Sequence, residues 1–249
     1  GIGGIFPGSP DLGQFWQHIL AAHSVAREVP PDRWPLTLTD VYAPELSPDK
    51  VYSRRACFIE DFRLDPTGLD LSPSLLTRLD PMYHLLLHAG RMAWLDTVTH
   101  HVDRQKVGII IGNIALPTEA ASAITDEILG PLMAAQVTAA SSRLSPQTAT
   151  ARINRYVTGL PAGLLAQALH LGAGSYTLDA ACASSLYALK YACAELQAGR
   201  ADLMLTGGLS RPDSLYTQMG FSQLHALSPT GHCAPFDAQA NGLVVGEGA

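Results

Sequence analysis

The chain has 249 residues, 47% of them apolar and 15% charged, with a formal net charge of −6. Folding a chain of this length removes roughly 70–75% of its extended surface from water, so the composition describes a globular protein with a large core. Arg54-Arg55 is as long as any basic cluster gets, which leaves no phosphate-neutralising patch for nucleic acid, and no apolar run reaches the ~20 residues of a membrane helix.

The first predicted element lies in "GSPDLGQFWQHIL", with Ser9 as N-cap and Pro10 at the first helical position. Leu12, Phe15, Trp16, Ile19 and Leu20 then form one apolar stripe at helical spacing. Residues 29–50 hold many prolines without a period and read as a surface loop, and "ACFIEDF" reads as a strand. Ser72-Pro73 starts a helix, and Asp80-Pro81 starts another that runs to about residue 99. "KVGIIIGN" is a continuous β-branched run, the pattern of a parallel strand buried on both faces.

Helical segments follow at 118–136, 148–158 and 161–170. "SYTLDA" reads as a strand, 184–198 as a helix closed by Gly199 at C′, and "ADLMLTGG" as a buried strand ending in a close-packed glycine turn. Residues 207–242 are punctuated by Gly and Pro, and "GLVVG" is the last strand. Strands alternating with helices from 107 to 208 give a layered α/β architecture. No repeat, low-complexity tract or linker divides the chain, so 1–249 reads as one domain. A start at Gly1 without Met and a stop inside "GLVVGEGA" predict a fragment of a longer chain.

Cys57, Cys182, Cys193 and Cys233 show no CxxC spacing and read as reduced thiols of a cytosolic protein. The opening "GIGGIFPG" lacks the basic n-region of a signal peptide, and it also fails the GxGxxG pattern of a phosphate loop. Cys182 follows a strand directly and stands in the first turn of the next helix, between Ala180, Ala181, Ala183 and Ser184. Free N–H groups at a helix start favour an anion, lower a thiol's pKa and can hold an acyl oxyanion. Spacing alone still favours a small buried hydrophobe at Cys182, and that reading is the one for Cys193 and Cys57. His84 and His88 are four apart on a helix but carry leucines between them and no partner carboxylate, so packing is the better reading. His100-His101 reads as a helix end favoured by the dipole. His225, His232 and Cys233 match no known metal spacing, and no metal site is assigned.

Four ordered segments change the balance at Cys182. "GIGGIFPGSPDLGQFWQHI", "LDAACASSLYALKYA", "AGRADLMLTGGLS" and "MGFSQLHALSPTGHCAPFDAQANGLVVGEGA" together resemble the β-ketoacyl synthases of fatty-acid and polyketide assembly. Ala180 and Ala183 stand where the commoner active-site pattern has Thr and Ser, and Ala173-Gly174 replaces a frequent Gly-Pro. This version resembles the synthase domains of large multifunctional enzymes that make polyketides or polyunsaturated fatty acids.

The resemblance implies a thiolase-like fold, of which this chain is the N-terminal half: layered α/β, a mixed sheet and helices on both faces. It implies a decarboxylative Claisen condensation, with Cys182 taking an acyl group from acyl-carrier protein and a malonyl-type extender attacking it. No cofactor is implied beyond the phosphopantetheine that delivers the acyl and malonyl thioesters. Two catalytic histidines are implied beyond residue 249, and no histidine of this chain matches their motifs. Phe221 aligns with a residue lining the acyl pocket, against a reading of ordinary core packing. A homodimer joined through the edge of "SYTLD" is implied, in the cytoplasm. Two other readings stay open: a thiolase-fold acyltransferase or hydrolase using Cys182 without decarboxylation, and a non-catalytic chain-length partner that binds acyl-carrier protein. A retained Cys182 weighs against the second.

Overall fold

A computed structural model of the protein describes residues 1–31, 33–136 and 150–249. Helix α1 (Leu12–Leu20) opens the chain, followed by short β1 (Arg27–Glu28), α2 (Leu38–Val41), β2 (Arg55–Ala56) and α3 (Pro73–Leu76). Then come α4 (Pro81–Leu95), β3 (Val107–Asn113), α5 (Glu119–Gln136), α6 (Pro161–Leu169) and β4 (Ser175–Leu178). The last elements are α7 (Ser184–Gln197), β5 (Leu203–Leu209) and α8 (Ser214–Gln223).

Strand β3 lies at the centre of a parallel sheet, paired on one side with β4 and on the other with β5. Every residue of β3 is buried, as its unbroken apolar run requires. Alternation sorts its side chains: Val107, Ile109 and Ile111 join the main core with α4 and α6, while Ile110 meets Ala188 and Ala192 of α7. Helices therefore cover both faces of the sheet. β1 and β2 pair antiparallel apart from it.

Helix ends follow the capping residues. Ser72 caps α3 and Asp80 caps α4, each followed by proline, as the sequence predicts. Gly199 takes φ +65°, its N–H donates to Leu196 O, and the Arg200 N–H donates to Glu195 O, a complete Schellman closure of α7.

Several expectations change. α1 is capped by Asp11, not Ser9, because Ser9 forms a reciprocal backbone pair with Phe6 and its Oγ bonds His18 Nδ1 at 2.9 Å. The stripe of α1 is largely solvent-facing: Trp16, Ile19 and Leu20 are exposed. Helix α4 stops at Leu95, so His100 and His101 lie beyond it, edge to face with each other.

Only Arg55 and Ala56 of the "ACFIEDF" region form strand. Further along, the Ile59 N–H turns to the Glu247 carboxylate at 2.8 Å instead of a ladder. "GLVVG" forms no strand, since Leu243 bridges to Leu227 and Gly246 to Cys57, two unrelated partners. Gly207 and Gly208 belong to β5 itself rather than to a turn after it. Residues 152–155 form a 3-10 turn in place of a helix, and 148–149 of that expected segment lie outside the described residues.

The stretch 207–242 contains α8, whose polar Thr217, Gln218 and Ser222 point inward and conceal its period. Cys193 is exposed, one residue beyond the sheet-facing Ala192 and so turned away from the core.

Candidate active site

The carboxyl ends of β3, β4 and β5 converge on the turn that enters α7. Parallel α/β sheets present ligand crevices at that end. The turn is tight because its neighbours are small. A Cβ on Gly112 would stand 2.4 Å from the Ser184 carbonyl carbon, so the strand and the helix start touch through their backbones. From β5, a Cβ on Gly208 would stand 3.1 Å from the Ser185 Cβ, a looser approach made to a side chain.

Residues Ala181–Ala183 form one 3-10 turn ahead of α7, and Cys182 is its exposed middle residue. Ala181 is left-handed at φ +50°, a conformation that costs a non-glycine residue roughly 1–2 kcal/mol. Two side chains hold it. Asp179 Oδ1 accepts from the Ala181 N–H at 2.8 Å, and Ser184 Oγ donates to Ala181 O at 2.7 Å while accepting from the Ala180 N–H at 2.9 Å. Asp179 Oδ2 also accepts from the Ala115 N–H at 2.9 Å, tying the loop after β3 to the turn. The Ala183 N–H closes back on Ala180 O, whereas the Cys182 N–H has no acceptor among the described residues. Cys182 therefore has an exposed thiol and a free backbone donor, at the positive end of a 14-residue helix.

Cys182 lines a cavity of about 640 Å³ together with Phe221 of α8. Ile114 and Leu116 from the loop after β3, Leu205 from β5 and Val245 add apolar walls. Phe221 is half-buried, so it serves the cavity wall and the packing of α8 together. The expected pair thus shares one cavity.

Behind the 245–248 wall lies a buried ion network that sequence reasoning missed. Arg211 Nη1 bonds Glu119 Oε2 at 2.6 Å and lies 3.9 Å from Asp80 Oδ1, while its Nε lies 3.9 Å from Glu247 Oε1. Arg33 pairs with Glu247 and, at 3.0 Å, with Glu119. Burial pushes the Glu119 carboxyl up, and Arg211 and Arg33 oppose it. Burial works against the Arg211 charge, but Glu119, Glu247 and Asp80 outweigh it and hold the guanidinium above its ordinary range. These five residues come from distant parts of the chain and carry no shared spacing, so only the fold assembles them. Asp179 was also overlooked; its signal was a carboxylate placed two residues before a turn of small residues, an Asx-turn pattern.

The remaining candidates separate from the site. His84 Nε2 bonds Leu76 O at 2.9 Å, and the His88 ring meets Phe62 edge to face at 5.0 Å. Cys57 is half-buried, and burial pushes its thiol up. Cys233 is exposed in a loop. Among the described residues, no group of three or more His, Cys, Asp or Glu side chains is placed to hold a metal ion. No described helix is long and apolar enough to cross a membrane.

Comparison with known proteins converges on one family. Residues 1–249 match the β-ketoacyl synthase N-terminal domain, and the chain belongs to that family. It is 28% identical over 253 residues to polyketide synthase PksL of Bacillus subtilis, covering 100% of this chain and 5% of that protein. It is 30% identical over 256 residues to a phenolphthiocerol/phthiocerol polyketide synthase of Mycobacterium tuberculosis, covering 100% of this chain and 13% of that protein. The chain thus spans a small part of the length of these relatives.

Among solved structures, the PfaC keto synthase-chain length factor superposes with a TM-score of 0.89 at 30% identity, covering all of this chain and 28% of that one. The ketosynthase from module 6 of the Bacillus subtilis bacillaene synthase superposes with a TM-score of 0.75 at 25% identity, covering all of this chain and 38% of that one. The fold is accordingly the thiolase-like α/β fold of ketosynthases.

Proposed function

We propose that this β-ketoacyl synthase N-terminal domain carries the acyl-accepting half of a condensing active site, with Cys182 as its nucleophile. One observation supports this most: an exposed cysteine at a helix start, lining a cavity, with no acceptor for its own N–H among the described residues. The Cys182 sulfur attacks the carbonyl carbon of an acyl thioester on acyl-carrier protein. The tetrahedral oxyanion accepts from the Cys182 N–H, the phosphopantetheine thiol leaves, and the acyl group stays on sulfur. A malonyl thioester then loses carbon dioxide, and the resulting carbanion attacks the acyl-Cys182 carbonyl. The sulfur departs with its bonding electrons and a β-ketoacyl thioester is released. Assistance to decarboxylation is assigned to histidines outside these 249 residues.

Phe221 is the proposed acyl-pocket residue, because it shares a cavity with Cys182. A second copy of the chain is the proposed partner of β4, which among the described residues pairs only with β3 and presents Tyr176 exposed. No cofactor is proposed beyond the carrier's phosphopantetheine.

The full-length protein, given acyl-loaded and malonyl-loaded acyl-carrier protein, is expected to release carbon dioxide and a β-ketoacyl thioester in equal amounts. Release of free acid or acyl exchange without carbon dioxide would move the assignment to a hydrolase or simple acyltransferase.

A further inference from the structure

The geometry points to Asp179 as a positioning residue that sets the Cys182 turn in its reactive shape, a role that rests on Cys182 being the acyl carrier. Its two carboxylate oxygens hold two different backbone donors, Ala181 N at 2.8 Å and Ala115 N at 2.9 Å. The first bond fixes the residue immediately before Cys182 in a left-handed conformation at φ +50°. A non-glycine residue stays there only when its surroundings over-determine it. The second bond fixes the loop whose neighbours Ile114 and Leu116 line the same cavity as Cys182. One side chain therefore sets both the direction in which the sulfur leaves the turn and the position of the facing wall.

Ser184 cannot replace it. That hydroxyl grips Ala180 N and Ala181 O, from inside the turn, and makes no hydrogen bond to the 114–116 loop. Asparagine at 179 keeps one acceptor oxygen but turns an amide N–H₂ toward the other backbone donor, so one of the two bonds is lost. Asp179 itself is exposed, so its replacement leaves the core untouched.

The test uses the full-length protein and four forms: wild type, Asp179→Asn, Ala181→Gly and the double variant. Two rates are read at Cys182 by peptide mass: acylation from an acyl thioester, and alkylation by iodoacetamide. Acyl transfer needs the sulfur, the Cys182 N–H and the cavity wall aligned; alkylation by a small reagent tolerates many sulfur orientations. Asp179→Asn is expected to slow acylation roughly tenfold and change alkylation less than about twofold, as loss of one hydrogen bond plus misalignment predicts. Glycine carries no left-handed penalty, so adding Ala181→Gly to Asp179→Asn is expected to recover about fivefold in acylation over the single Asn variant.

Unchanged acylation in Asp179→Asn overturns the role and leaves Cys182 as the acyl carrier. Parallel loss of both rates shows that Asp179 merely keeps the fold, and no recovery in the double variant shows that the Ala181 conformation is not what Asp179 sets; either result overturns the role. A wild type that carries no acyl group on Cys182 removes the premise itself, and the positioning role falls with it.

Discussion

Gly112 of β3 meets Ser184 of α7 so closely that a single added methyl would stand 2.4 Å from the Ser184 carbonyl carbon and 2.6 Å from its oxygen. Backbone cannot swing aside as a flexible side chain can, so this glycine sets how far α7 sits from the sheet, and with it the depth of Cys182. Gly112→Ala is expected to push the helix start outward and cost about 1–3 kcal/mol of stability, as overpacking does. Urea unfolding measures the loss, and acylation of Cys182 should fall with it. Full stability and full acylation in this variant would show that the contact relaxes freely.

The ion network offers a second test. Arg211 is the only guanidinium of the cluster within reach of Asp80, Glu119 and Glu247 together, and its side chain is 9% exposed. Arg211→Met leaves Glu119 and Glu247 with Arg33 alone and takes from Asp80 its one cation partner among the described residues, and breaking such a buried set costs about 3–5 kcal/mol. Chemical denaturation of the two proteins side by side gives the number. A loss under about 1 kcal/mol would place the cluster among solvated surface pairs.

A third prediction concerns pH. Neither ring nitrogen of His88 has a hydrogen-bond partner among the described residues, and burial, with Arg91 beside it, holds its pKa below the usual 6.5. The unfolded chain therefore takes up this proton at a higher pH than the folded one. Stability from this group is full above the unfolded value and is lost as pH falls through it toward the folded value. Denaturation midpoints at about pH 7.5, 6.5 and 5.5 should decline for the wild type, and His88→Phe should decline less. Equal slopes for both would mean His88 is hydrated in the native state.

Phe221 carries a prediction on substrate size. Phe221→Ala removes most of a ring from the cavity that Cys182 lines, so long acyl thioesters should gain on short ones by roughly tenfold in acylation rate. Competition between a short and a long acyl thioester reads the ratio. An unaltered ratio accompanied by lost stability would return Phe221 to core packing.

Much of the architecture was legible because single elements declared themselves locally. "KVGIIIGN" has the unbroken apolar pattern of a strand covered on both sides, and Ser72-Pro73 and Asp80-Pro81 capped the helices they announced. The place of Cys182, between a strand end and a helix start among small neighbours, was legible, but spacing alone favoured a small buried hydrophobe there, and the nucleophile reading came from the resemblance of four ordered segments. What stayed hidden depends on distant pairing. Ser9 gave up its capping role to a pairing with Phe6 and His18, which no local rule weighs. The "GLVVG" run has strand composition, but its backbone groups are divided between Leu227 and Cys57. In α8 the buried Gln218 and Ser222 reverse the usual sorting of polar and apolar residues, so its helical period could not be seen. The partners of Arg211 lie at 80, 119 and 247, and only the closed fold brings them together.

The central claim is that the sulfur of Cys182 bears the acyl chain. Its most direct test is to incubate the full-length protein with an acyl thioester, digest it, and weigh the peptides that contain Cys57, Cys182, Cys193 and Cys233. An acyl mass confined to the Cys182 peptide, absent after Cys182→Ala, is the expected result. Acyl mass spread over the exposed Cys193 and Cys233 as readily as Cys182, or none on Cys182 while product still forms, would contradict it.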